Sequence, residues 1–170
     1  RVRKLEDRAE LHDLVATYFQ ATDDDDYAQL GLCFTIDATF AASGFPDSAG
    51  RAAITEFLKM ARSGMGQTVH TPNYVQLSFD GPDAASGTVA AHLELGIGEA
   101  TYFAAVRYLD RYRREDGQWR VGRPARGGLT LGPPGEGNKK QNKDVKCTHF
   151  AIRWGTILST LPGGRGSWLS

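Results

Sequence analysis

The chain has 170 residues, 41% hydrophobic and 24% charged, which suits one domain with a real core and leaves little room for a second. Its 20 acidic and 20 basic side chains balance, but unevenly: 12 acids face 7 bases in the first 80 residues, and 8 face 13 in the last 90. The basic surplus has neither interleaved aromatics nor a recognition motif, which argues against nucleic acid, and no apolar run is long enough for a membrane span.

From Leu5 to Thr22, the residues Leu11, Leu14, Val15, Tyr18, Phe19 and Thr22 recur at helical spacing and predict a helix with one buried stripe. Asp23-Asp24-Asp25-Asp26 closes it, and Asp25 or Asp26 is expected to cap a second helix, Tyr27 to Phe34. A short β-prone piece, Ala38 to Ala42, leads into a loop, Ser43 to Gly50, with a cap expected at Asp47 or Ser48. Ile54, Phe57, Leu58 and Ala61 then mark a third helix, ended by Gly64 and Gly66.

Four strands follow: Thr68 to Phe79, Gly87 to Ile97, Tyr102 to Arg113 and Gln118 to Arg123, the last two joined by a hairpin turn at Asp116-Gly117. Helices first and an antiparallel sheet after them indicate an α+β domain, with the helices on one face of a curved, mostly antiparallel sheet. In the first of these strands Asn73, Val75, Leu77 and Phe79 share one phase and His70 has the other. A bulge at Thr71-Pro72, where proline cannot donate to the ladder, would bring His70 and Asn73 to one face.

The domain is expected to end near residue 126. Beyond it lies a Gly/Pro-rich basic extension, 127–170, with one apolar piece, Phe150 to Leu161, and no assigned role. Cys33 and Cys147 show neither metal-ligand spacing nor a disulfide framework, so a reducing, cytoplasmic setting is expected.

Two residues stand out of place. Asp23 lies four residues past Phe19 and eight past Val15, on the buried face of the first helix, and His70 interrupts a strand. Each alone has a bland reading, a helix cap or a satisfied structural histidine. Because an unpaired charge is costly to bury, each is best explained by the other, and a paired Asp and His is a general base. Arg107 shares the phase of Phe103, Ala105 and Leu109 and needs a partner there. His92 shares the phase of Thr88 and Glu94, facing solvent or an interface, yet it could neighbour His70 across the sheet. Tyr18, Tyr74 and Tyr108 offer phenolic donors. There is no phosphate loop, dinucleotide fingerprint, nucleophile elbow or zinc helix motif, and the histidines are scattered, so neither cofactor nor metal is expected.

The ordered series Leu5-Glu6-Asp7-Arg8-Ala9-Glu10-Leu11-His12-Asp13-Leu14, Tyr18, Asp23, then Leu32 to Phe40, Gly50 to Ile54, Thr68-Val69-His70 with Asn73, and Arg107 to Tyr112 before Asp116-Gly117-Gln118-Trp119, resembles the SnoaL-like family of the nuclear transport factor 2-like superfamily. It covers roughly residues 4 to 123 and implies a cone-shaped α+β barrel. Two branches share the polar positions. The hexachlorocyclohexane dehydrochlorinases have an Asp-His dyad where Asp23 and His70 stand and an arginine at Arg107, with a lysine where this chain has Tyr18. The scytalone dehydratases have an aspartate at Asp23 and histidines at His70 and His92, with an asparagine at Tyr108 and a tyrosine at Thr22. The resemblance implies a lyase that performs an elimination on a small hydrophobic, cyclic substrate. Asp23, His70 and Arg107 would be catalytic, and Tyr18, Asn73, Tyr74, His92 and Tyr108 would line the substrate site. An isomerase, a polyketide cyclase or a non-catalytic ligand-binding module in the same cone is the alternative, and a homodimer or homotrimer through the outer sheet face is expected.

Overall fold

Helix α1 spans Val2–Asp23 in the computed structural model, which describes residues 2–42, 46–122 and 125–132. Its buried Leu11, Val15, Phe19 and Thr22 form the stripe that the spacing predicts, and they pack on the sheet. Asp26 caps helix α2 (Tyr27–Leu32) by accepting the Gln29 N–H at 2.9 Å, a contact worth about 1 kcal/mol. Strands β1 (Thr39–Ala42) and β2 (Ser48–Ala49) pair before helix α3 (Arg51–Arg62). Neither Asp47 nor Ser48 caps α3. The cap position is Gly50 at φ 89°, because the chain turns straight from β2 into the helix through a conformation that only glycine adopts freely.

The remaining strands are β3 (Thr68–Phe79), β4 (Ala84–Ile97), β5 (Ala100–Glu115), β6 (Gln118–Val121) and β7 (Ala125–Gly132). Their order is β2-β1-β7-β5-β4-β3, with β6 paired to the far end of β5. Every pairing is antiparallel except β1 with β7. Asp116 and Gly117, both at positive φ, make the two-residue β5–β6 turn. The helices cover one face of the curved sheet, as the α+β reading expects.

The boundary at 126 falls inside a strand. The backbone of β7 continues to Gly132, held between β1 and β5 with Arg107 opposite Gly128. Gly127-Gly128 reads as a linker because glycine disfavours strands, but a slot with pairing partners on both sides overrides that local preference. Residues 133–170, including the apolar piece at 150–161, lie outside the described residues.

Register decides what faces inward. The rows His70–Leu93–Ala104, Val75–Val89–Tyr108, Leu77–Gly87–Asp110 and Phe79–Ala85–Tyr112 run across β3, β4 and β5. They carry the buried Leu93, Val89, Leu77, Ala85 and Tyr112. The break in register lies between Pro72 and Tyr74, which leaves Asn73 as the inserted residue, and this extra residue puts His70 on the same face as Val75 and Leu77. The N-terminal half of α1 is fastened to the sheet by buried Asp7, which pairs with Arg114 and accepts the Trp119 indole N–H at 3.4 Å.

Candidate functional site

The last turn of α1 brings Asp23 against the start of β3. Asp23 Oδ1 lies 2.6 Å from His70 Nδ1, and Asp23 Oδ2 accepts the His70 backbone N–H at 2.8 Å. Two contacts from one carboxylate fix both the position and the rotation of the imidazole. Because the carboxylate can only accept, the Nδ1 proton belongs to histidine and Nε2 keeps its lone pair. The Phe19 ring stacks on the imidazole at 4.7 Å and 15°, and only 4% of the His70 side chain is exposed. Burial pulls the His70 pKa below its ordinary value; Asp23 opposes this, and the Arg62 charge reinforces it. The residue is therefore a neutral, oriented base near neutral pH.

Behind the pair stands a brace that the sequence reading did not include. Thr68 donates its hydroxyl to Asp23 Oδ1 at 3.0 Å and accepts from Arg62 Nη1 at 2.7 Å. Arg62 in turn donates through Nε to Asp25 Oδ1 at 2.6 Å, and Tyr27 donates to the same oxygen at 2.7 Å. Asp25 sits at φ 55°, held there by these two partners, and the Arg62 guanidinium lowers its pKa. The aspartate run thus divides its work: Asp23 holds the histidine, Asp25 anchors Arg62, and Asp26 caps α2. Arg62 was legible by the same logic as Asp23, since it stands four and eight residues past Leu58 and Ile54 on the buried stripe of α3.

Next to the dyad, between α1 and the inner sheet face, lies a cavity of about 20 Å³, enough for one water-sized group. Leu14, Val15, Tyr18, Phe19, Val89, Tyr108 and Asp110 are among its walls, and His70 is not. Phe19 joins the two regions, stacking on His70 and standing 6.2 Å from Tyr108. Tyr18 meets Tyr108 edge-on at 6.1 Å, and burial raises both phenol pKa values. Asp110, absent from the sequence-based candidates, is pushed up to about 7 by burial, against which the 3.2 Å hydrogen bond from Tyr112 works only weakly. Its signal was the alternation Tyr108-x-Asp110-x-Tyr112, which puts a carboxyl on the phase of two aromatic residues. A ring-sized ligand needs far more room than this cavity gives.

The other expected site residues go elsewhere. Arg107 and His92 are exposed on the outer face, opposite in phase to buried Val106 and Leu93. Alternation could not settle Arg107 because both phases of β5 carry apolar residues; Phe103 and Leu109, which share its phase, are 55% and 49% exposed. Tyr74 is 44% exposed on that same outer face, opposite Ala90 in β4, and Asn73 is exposed at the bulge. The structure therefore brings together Asp23 and His70, and beside them Tyr18 and Tyr108, but not Arg107, His92, Asn73 or Tyr74. Among the described residues no group of three or more His, Cys, Asp or Glu side chains is placed to hold a metal, and no helix is long and apolar enough to cross a membrane.

Comparison with known proteins gives three results. Residues 3–124 match the SnoaL-like domain. No curated protein sequence matches the chain. Among solved structures, a type-2 hexachlorocyclohexane dehydrochlorinase, LinA, superposes with a TM-score of 0.72 at 20% identity over 85% of this chain and 99% of that one. A candidate scytalone dehydratase from Novosphingobium aromaticivorans gives 0.68 at 16% identity, covering 80% and 98%. ActVI-ORFA from Streptomyces coelicolor gives 0.62 at 22% identity, covering 72% and 96%. At such identities the likeness is one of fold.

Proposed function

The chain belongs to the SnoaL-like domain family, and from that premise we propose that it is a lyase. The reaction is an elimination, either dehydration or dehydrohalogenation, on a small hydrophobic, ring-shaped substrate. The observation that carries this reading is the 2.6 Å contact between Asp23 and a buried His70 that stays neutral. In the proposed reaction His70 Nε2 removes a carbon-bound proton, the electron pair left behind forms the new double bond, and the leaving group departs with the bonding electrons. Asp23 keeps the reactive tautomer in place and stabilises the imidazolium that forms. Tyr18 and Tyr108 supply hydrogen bonds on the cavity side. No residue of the outer face is assigned a part in the step.

The test is a panel of cyclic alcohols and cyclic halides, followed by release of water or halide and appearance of the alkene. His70→Ala should abolish turnover and keep the folded circular dichroism spectrum. Undiminished turnover in that variant would sink the assignment. Isomerisation or cyclisation would begin with the same proton removal, and product analysis separates them from elimination. The exposed Val69, Tyr74, Phe103 and Leu109 on the outer sheet face support the expected homodimer or homotrimer, which sedimentation of the full chain would decide. A cytoplasmic location completes the proposal.

A further inference from the structure

Asp110 is a carboxyl that the dyad does not use. It lines the cavity on the inner face of β5, between Tyr108 and Tyr112, with Tyr18 facing it from α1. A carboxyl has two oxygens and up to four acceptor sites, yet its one hydrogen bond among the described residues comes from Tyr112. Among the described residues no cation contributes to its environment. Opposite it in β4 stands Gly87, where a Cβ would meet Tyr112 Cε2 at 2.9 Å and Leu77 Cδ2 at 3.0 Å. The backbone is thus bare where the Tyr112 ring lies.

Asp110 is half-buried, and its single hydrogen bond leaves acceptor sites open on the cavity side. The free space beside Asp110 matches one oxygen-centred group, and Tyr18 and Tyr108 border it. Tyr18 stands five residues before Asp23, about 7.5 Å along the helix axis.

We propose that Asp110, Tyr18 and Tyr108 form a subsite for a hydroxyl or carbonyl oxygen on the substrate, so that the ring is oxygenated rather than purely halogenated. The subsite deepens the lyase proposal and rests on it only for the claim that the bound molecule is a substrate. Burial raises the Asp110 pKa to about 7, so near neutrality the carboxyl can donate to a carbonyl or accept from a hydroxyl, as a phenol also can. A site built to pair a hydroxyl strongly rejects an isostere that lacks it, because its own polar groups are then left bare.

The experiment compares para-nitrophenol with para-chloronitrobenzene, which replaces the hydroxyl by chlorine, at mildly acid pH where the phenol keeps its proton. The wild-type chain should bind the phenol at least about tenfold more tightly, and Asp110→Leu should reduce that preference to about twofold or less. The same Leu variant should be as stable to urea as the wild type, or more so. A preference unchanged in Asp110→Leu, equal binding of the two probes by the wild type, or lost stability with the preference intact would overturn the subsite and mark Asp110 as structural. If Asp110→Leu does not fold, Tyr108→Phe decides by the same ratio. His70→Ala separates the two proposals. Retained turnover there defeats the base and leaves the subsite standing; a normal probe ratio with no turnover upholds both.

Discussion

Thr68 donates its hydroxyl to Asp23 Oδ1 at 3.0 Å, the same oxygen that accepts the hydrogen bond from His70 Nδ1–H. The hydroxyl is itself directed by Arg62. Thr68→Val keeps the shape and removes the donor, so the Asp23 carboxylate is free to rotate away from the imidazole. A supporting hydrogen bond of about 1–2 kcal/mol predicts a loss of roughly tenfold in kcat. Thr68→Ser should recover most of it. Equal activity in the Val and Ser variants would show that Thr68 only packs.

The lowered His70 pKa predicts a rate and a stability that both depend on pH. Activity should rise as the imidazolium loses its proton, with a midpoint below the ordinary value of 6.5. The stability sign follows from the same shift. The folded state binds the proton less readily than the unfolded state, so the contribution of His70 is complete above the unfolded pKa and is lost as pH falls through the lowered folded one. Urea titrations of wild type and His70→Gln should therefore diverge most below the normal histidine range. Parallel curves there would contradict the burial of the ring.

Asp110 acts in the opposite sense. Its folded pKa of about 7 lies above its ordinary 3.8, so its contribution is complete below the unfolded value and is lost as pH rises through the folded one. Asp110→Asn removes that loss. The variant should gain on the order of 2 kcal/mol over wild type in alkaline buffer, with the gain growing from the ordinary carboxyl value of 3.8 up to the folded one and vanishing below 3.8. A gain that does not change with pH would mean that the carboxyl is solvated.

Gly87→Ala tests the inner face. The new methyl meets Tyr112 Cε2 at 2.9 Å and the backbone oxygen of Gln76 at 3.1 Å. The tyrosine ring must shift, at a cost of about 1–3 kcal/mol. Denaturant unfolding would detect it, and full stability would show that the ring yields freely.

Arg107→Ala and His92→Ala should each leave turnover within about twofold, since both side chains are exposed on the outer sheet face. A large loss in either would mean that this face reaches a site through another subunit, and sedimentation of the variants would reveal it.

The sequence carried the order and type of nearly every element because their signals are local: the α1 stripe, the α3 stripe, the β-branched runs, and Asp116-Gly117. Asp23 and His70 were legible as well, since each breaks a pattern and Pro72 offers a reason for the second break. Arg107 was not, because β5 carries apolar residues on both phases and only contact with α1 chooses the inner one. Strand β7 was hidden by its own glycines. Asp110 escaped notice because a charged residue beside Arg111 looks like surface, and its partial burial comes from packing between distant elements rather than from its neighbours in the chain.

Asn73, the inserted residue of the β3 bulge, gives the site a dependence on counting. Everything before it in the strand is turned half a pleat relative to everything after it. Taking out this one exposed residue, which touches neither Asp23 nor His70, would present Val69 and Thr71 to the interior and send the imidazole outward. The chemistry of this fold thus hangs on the parity of a strand: a one-residue deletion well away from the dyad disarms it, whereas most substitutions at that same position would not.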